Sequence, residues 1–438
     1  MIEKEYLCAK IGIMKHFIPT LARHSMRLAV LAALPLLMWS CSDDDSAAEQ
    51  LPARTVMVYI AGENSLGSNG SASYSATDLN EMLEGSLNNS FDGHLVVFVD
   101  DASSTLPYIA EIKNGVSTVD EGMTFNEDIY SSDPEEMLEI LTYIMNNYEA
   151  QSYGLVLWGH GSGWLIDNDS IANSLSKRRA YGVDNGSNSS SNSGYWINIP
   201  TLSKVLTSLP TKLDFIFADC CQFQCIESAY ELRDAANYII GSPAEIPAEG
   251  APYEVLLPYF FKTSTNYYEN IVDNYNTGST LSSYGSEEFV TPLSVISTSR
   301  LEDFADATAA MLPTLMSADI TPSELVYYNS IRVSSGNRVR IMFDARDLMQ
   351  QCASSSEYYD AWEAALADVV VYGLPSSYWM SNGYVSFSPQ TFTVTDDNYG
   401  GVSMFIPMDS YDSSTSENPN ETIKQMSWYY AIGMDNYE

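Results

Sequence analysis

The sequence predicts an α/β fold: a mainly parallel sheet sandwiched by helices, with a further α/β region at its C-terminal end. Three observations carry this. Short, nearly continuous apolar runs recur along the chain, as expected of strands buried on both faces. Segments with helical periodicity alternate with them, the pattern of a parallel sheet covered on both sides. Finally, 438 residues with 45% hydrophobic content supply an ample core, which excludes wholesale disorder.

The elements follow in order. Residues 55–61 (TVMVYIA) read as a buried strand, followed by a Gly/Ser/Asn loop and a helical pattern over 76–87. Residues 94–100 (HLVVFVD) form a second strand and 107–113 a third. Asp133 reads as an N-cap, with Pro134 at the first helical position and Glu135 and Glu136 in the first turn of a helix over 137–148. Strands follow at 153–158 and 213–218, and a helix at 226–237. Later helices are expected at 266–275, 300–316 and 358–372, and strands at 383–387 and 401–407. No repeat of fixed period is present.

The chain divides into a signal segment (1–41), a polar tether (42–54), a catalytic region (55–262) and a C-terminal region (263–438). Five basic residues precede the apolar run LAVLAALPLLMW over 28–39, which fits a signal-peptide core and is too short to span a bilayer. Cys41 ends that run and precedes Ser42-Asp-Asp-Asp45, an order that resembles a bacterial lipobox followed by a surface-export signal. The expectation is a lipidated Cys41 and a lipoprotein of the bacterial outer membrane, exposed at the cell surface. Cleavage there leaves 15 basic against 55 acidic residues, taking the net charge from −37 to −40. So acidic a chain argues against nucleic acid and against anionic membrane surfaces as partners, leaving the lipid anchor as the membrane contact. Only two histidines remain, His94 and His160.

Two expected strands end in reactive residues. LVLWGHGSG over 155–163 places His160 at a strand's carboxyl end before a Gly-rich loop, and FIFADCC over 215–221 does the same for Asp219, Cys220 and Cys221. Cys beside His on neighbouring strand ends is the arrangement that nucleophilic catalysis uses. Gly161 leaves its backbone N–H open to an oxyanion. Side-chain alternation points Asp219 and Cys221 one way and Cys220 the other. A helix starting soon after Cys221 would lower the thiol pKa. A serine hydrolase is excluded: no G-x-S-x-G elbow is present and no His follows position 160. Zinc on Cys220, Cys221 and Cys225 lacks the usual C-x-x-C pairs.

These residues, with TVMVYIAGEN (55–64), LWGHGSGW (157–164), YGVD (181–184), FADCC (217–221), IPAEGAPY (246–253), IVDNY (271–275) and GGVSMFIP (400–407), resemble the clostripain family of cysteine peptidases, in the caspase–gingipain–legumain clan. The resemblance implies a caspase-like fold with Cys221 as nucleophile and His160 as base. The backbone N–H groups of Gly161 and Cys221 then form the oxyanion site. It implies cleavage after Arg or Lys, with Asp219 in the S1 pocket and Glu249 as a second acidic wall, so the partners are proteins or peptides with a basic P1 residue. Lys177, Arg178 and Arg179, the densest basic patch of the mature chain, become the expected site of self-cleavage. No cofactor is required; some relatives use calcium, but no loop here has EF-hand spacing. The sequence departs from the family pattern at Cys220, Gln222 and Phe223. The rival reading is a catalytically silent relative that binds glycan or protein at the cell surface.

Overall fold

The computed structural model describes residues 50–67, 73–103, 106–166, 180–186, 194–276, 291–332, 338–376, 378–381, 388–391, 394–395, 397–411 and 418–437. The elements of the first half are β1 (Arg54–Gly62), α1 (Tyr74–Asn88), β2 (Gly93–Asp101), β3 (Tyr108–Lys113), β4 (Val116–Val119), α2 (Pro134–Asn147) and β5 (Tyr153–Gly159). Then come β6 (Tyr181–Asp184), β7 (Tyr195–Ile197), α3 (Ile199–Thr207), β8 (Leu213–Asp219), α4 (Ile226–Glu231), β9 (Ala236–Gly241), α5 (Tyr253–Phe260) and α6 (Tyr267–Tyr275). The last third carries β10 (Leu293–Ser297), α7 (Leu301–Leu315), β11 (Tyr327–Arg332), β12 (Arg338–Asp344), α8 (Ala345–Ala353), α9 (Tyr359–Val369) and β13 (Val370–Leu374).

Among the described residues the main sheet has nine strands in the order β13-β10-β9-β8-β5-β1-β2-β3-β4. The central five, β2 to β9, are parallel, and antiparallel strands flank them on both sides. Strand alternation builds two cores. Met57, Tyr59 and Ala61 face α2, α3, α4 and α7 on one side, while Val56, Val58 and Ile60 face α1, α5 and α6 on the other. This is the α/β architecture expected. Strands β10 and β13, from the C-terminal region, extend the same sheet, and residues 50–438 form one compact unit.

The local signals act as expected at α2, where the Asp133 side chain accepts from the backbone N–H groups of Glu135 and Glu136. Two expected helices are each a helix followed by a strand. Residues 226–237 divide into α4 and the start of β9, and 358–372 into α9 and β13. In both, apolar spacing suits either element, and the strand part is decided by its sheet partner, β8 for β9 and β10 for β13. Residues 383–387 lie outside the described residues, and over 401–407 only Ser403–Met404 is strand.

Arg54 fastens the start of β1 to its surroundings. Its guanidinium pairs with Asp214 and donates to the carbonyls of Phe260 (2.9 Å) and Lys262 (2.7 Å) and to Ser152 Oγ (3.0 Å). It also lies 4.6 Å from the centre of the Tyr267 ring. A buried charge with this many partners ties β1, β8 and the α5–α6 corner together.

Candidate active site

Strands β5 and β8 run side by side, and their last register pair is Trp158 with Asp219. His160 and Cys221 each lie two residues further on. Parallel strands therefore deliver both to one place, beyond the carboxyl ends of the sheet. The strand order reverses in the neighbouring gap, between β1 and β5, since the chain leaves β1 for β2 on one side and reaches β5 on the other. Among the described residues the other histidine, His94, sits at the opposite end of the sheet, paired with Glu111 at 2.7 Å.

Gly161 makes the close approach possible. A Cβ built there would lie 2.6 Å from the carbonyl oxygen of Cys221 and 3.1 Å from Cys220 Cβ and Sγ. Strand β6 fixes this loop: Gly182 N–H donates to the His160 carbonyl (2.9 Å), Ser162 N–H to the Ala180 carbonyl (3.0 Å), and Gly161 bridges Tyr181. The His160 ring is partly exposed, with Nε2 3.1 Å from Ser65 Oγ and its centre 6.2 Å from that of Trp196.

The adjacent thiols differ in kind. Cys220 is 1% exposed and packed in the core with Tyr181 and Ala218. Cys221 is partly exposed, and its Sγ accepts the Ile246 N–H at 3.4 Å. Burial first, and then the buried carboxylate of Glu245, push the Cys221 thiol up to about 12. The expected lowering by a following helix is not met: α4 is short, starts only at Ile226, and its effect is outweighed by burial and acidic neighbours. Cys225 is buried against Ser228 Oγ at 3.0 Å.

Asp219 points to the face opposite Cys220, as alternation requires. Its Oδ2 accepts from the Tyr253 hydroxyl (2.8 Å) and the Ala251 N–H (3.2 Å), while Oδ1 is buried without a hydrogen bond. Burial raises its carboxyl to about 6, against the pull of these donors. Gly250, at φ +64°, lets the 247–253 loop lie against this carboxyl, since a Cβ there would be 2.8 Å from Oδ2.

Glu249 is exposed on that loop, whereas Glu245, four residues earlier, is the buried acid that bears on Cys221. Gln222 adopts φ +58° and connects two regions: its Nε2 is 3.4 Å from Glu245 Oε1, and its Oε1 accepts from Asn329 Nδ2 on β11 at 2.8 Å. Ser65, Glu245 and Asn329 were not singled out in the sequence, because the loops and strands that bring them here are remote from His160 and Cys221 along the chain. Cys41, Lys177, Arg178 and Arg179 lie outside the described residues. Among the described residues no group of three or more His, Cys, Asp or Glu side chains is placed to hold a metal ion.

The family model described as the clostripain family matches residues 58–436. Among solved structures, a secreted C11 cysteine protease from Bacteroides thetaiotaomicron, in complex with an irreversible peptide inhibitor, is 29% identical. It superposes with a TM-score of 0.69 over 88% of this chain and 99% of that one. An inactive zymogen C11 protease from Parabacteroides distasonis is 25% identical, with a TM-score of 0.67 over 87% and 98%. A second secreted C11 cysteine protease from Bacteroides thetaiotaomicron, iotapain, is 19% identical and shares the fold, with a TM-score of 0.68 over 87% and 99%. No curated protein matches the chain.

Proposed function

The chain belongs to the clostripain family of cysteine proteases, and from that premise we propose that it is an endopeptidase that cleaves after Arg or Lys. The observation that carries this is the register of β5 and β8, which sets His160 and Cys221 at matching positions past Trp158 and Asp219. The Asp219 carboxyl, raised to about 6, is ionised at neutral pH and stands at the end of β8, two residues before the thiol.

In the proposed reaction Cys221 Sγ attacks the scissile carbonyl carbon while its proton passes to His160. The carbonyl oxygen gains the electron pair and is met by the N–H groups of Gly161 and Cys221. His160 then gives its proton to the leaving amine as the C–N bond breaks, leaving an acyl-thioester. Water, deprotonated by His160, releases the acid and restores the thiol. No step uses a metal.

The raised thiol matters here. At pH 7 a Cys221 near 12 stays protonated, so an ion pair does not stand ready and the proton must move during attack. This supports a resting single-chain form, and the Parabacteroides relative is described as an inactive zymogen. Activation would come from self-cleavage at Lys177, Arg178 or Arg179. The Ala180 carbonyl holds the His160 loop by accepting from Ser162 N–H, so a cut just before Ala180 would fall beside the site. Cys41 is proposed as the acylated residue of a surface lipoprotein; loss of labelled fatty acid from the Cys41→Ala variant would test that.

The experiment is hydrolysis of short fluorogenic peptides with Arg, Lys, Asp or Ala at P1, by wild type and by Cys221→Ala. Turnover of Arg and Lys peptides by wild type alone is expected. Turnover of none of them by a processed sample would favour a silent binding protein. Preference for Asp would remove the role given to Asp219.

A further inference from the structure

Gln222 follows Cys221 directly, and the proposed reaction gives it no task. Its backbone is left-handed, at φ +58°, a conformation that glycine adopts freely and that strains any residue carrying a Cβ. The turn alone therefore does not account for a glutamine here, where the sequence also departs from the family pattern.

Three parts of the molecule meet at this residue. Its N–H donates to the Ala244 carbonyl at 2.8 Å, and its Nε2 lies 3.4 Å from Glu245 Oε1. Beside these bonds, Ile246 N–H donates to Cys221 Sγ at 3.4 Å. Residues 221–222 and 244–246 are thus laced together around the sulfur. The Gln222 carbonyl supports the loop of His160, since a Cβ on Gly163 would lie only 2.8 Å from its oxygen. Finally, Gln222 Oε1 accepts from Asn329 Nδ2 on β11 at 2.8 Å.

The C-terminal region is fitted to this contact. The register of β11 and β12 shifts on both sides of Asn329, an irregularity of the kind that re-aims a side chain. Asn329 Oδ1 accepts from the Ser330 N–H at 2.7 Å, while Nδ2 serves Gln222. Strand β12 reaches the same segment by a second route. Its Asp344 pairs with Ser403, whose N–H donates to the Gln224 carbonyl at 3.1 Å. Both amides of the Gln222–Asn329 bond are buried, so removing one of them strands the other away from water.

We propose that Gln222 and Asn329 are positioning residues: their bond holds the Cys221 thiol and the His160 loop in place and makes the C-terminal region part of the catalytic apparatus. The proposal rests on the reading of Cys221 as nucleophile. Neither residue touches the reacting atoms, and both act through the segment that carries the sulfur. The contacts to Ala244, Glu245 and Gly163 surround the thiol, so slack in them displaces sulfur against imidazole. Its effect therefore falls on the attack itself rather than on the hold over the substrate.

The test is a double-mutant cycle in the full chain, read on Arg and Lys fluorogenic peptides. Active sites are counted by titration with an Arg chloromethyl ketone. Gln222→Met keeps the length of the side chain and removes both of its hydrogen bonds; Asn329→Leu removes the facing donor. Each single variant should lose about 10-fold in kcat per titrated site, with KM within about twofold of wild type. The double variant should fall no further than the worse single one, because an apolar pair replaces an amide pair and leaves neither partner stranded. Urea midpoints on the same proteins separate position from stability, since a bond that only held the fold would leave kcat per site unchanged in folded protein. Single variants with wild-type kcat per site, or losses that simply multiply in the double variant, overturn the proposal and leave the nucleophile reading intact. If either single variant fails to fold, kcat per site and KM of Asn329→Ala decide by the same criterion. Wild type that neither cleaves these peptides nor takes the ketone on Cys221 overturns the nucleophile reading, and this proposal with it.

Discussion

Replacing Gly161 with Ala tests whether the approach of β5 and β8 makes the site. The added Cβ would sit 2.6 Å from the Cys221 carbonyl oxygen, where ordinary contact begins at 3.4 Å, and 3.1 Å from Cys220 Cβ. Relief requires the two strand ends to part by about 0.8 Å, because both neighbours are backbone or buried core and cannot swing away. That displacement moves His160 from Cys221 and tilts the Gly161 N–H that the oxyanion needs. A misplacement of about 1 Å, or loss of one oxyanion donor, costs about 100-fold in rate. Overpacking of this kind lowers stability by about 1–3 kcal/mol. The assay is kcat and KM on an Arg peptide, beside a urea unfolding midpoint. A fall of about 30- to 100-fold in kcat, in protein that still unfolds cooperatively, is expected. A folded Gly161→Ala enzyme with kcat within about threefold of wild type would refute the geometry.

Gly250→Ala should act on binding instead, since its Cβ meets Asp219 Oδ2 at 2.8 Å and its φ is +64°; KM for Arg peptides should rise with little change in kcat. The ratio of kcat/KM for Arg over Ala at P1 should fall as pH drops through about 6, where Asp219 gains its proton, and a flat ratio from pH 5 to 8 would contradict the role of its charge. Arg54→Ala should cost about 3–5 kcal/mol by urea titration, because Asp214 and the Phe260 and Lys262 carbonyls lose a buried cation. Stability should fall as pH rises from 5 to 8. The buried carboxyls of Asp219 and Asp344, raised to about 6, and Glu227, raised to about 7, bind protons in the folded state that the unfolded chain has released. Their contribution is complete below an ordinary carboxylate pKa of about 4 and is lost through pH 6 to 7. A urea midpoint that rises across that range would reverse the sign, and Glu227→Gln should flatten its upper part.

Much of the central sheet was legible because strands buried on both faces must be apolar at every position. Residues 55–61, 94–100, 153–158 and 213–218 announce themselves that way, and each lies inside a strand. The same apolar density blurs helix against strand where both are buried, which is why 226–237 and 358–372 read as single helices. Asp219 opposite Cys220 follows from two-residue alternation alone. What alternation cannot supply is the partner brought in by a remote loop. Glu245 and Glu249 share one short segment, yet only the folded loop decides which is buried beside Cys221.

The most direct measurement is covalent: a peptidyl chloromethyl ketone with Arg at P1, followed by mass spectrometry of the digested protein. One adduct on Cys221 is expected, none on Cys220, Cys225 or Cys352, with labelling abolished in His160→Ala and protected by a competing Arg peptide. An adduct on another cysteine, or labelling of Cys221 indifferent to His160 and to the peptide, would contradict the dyad.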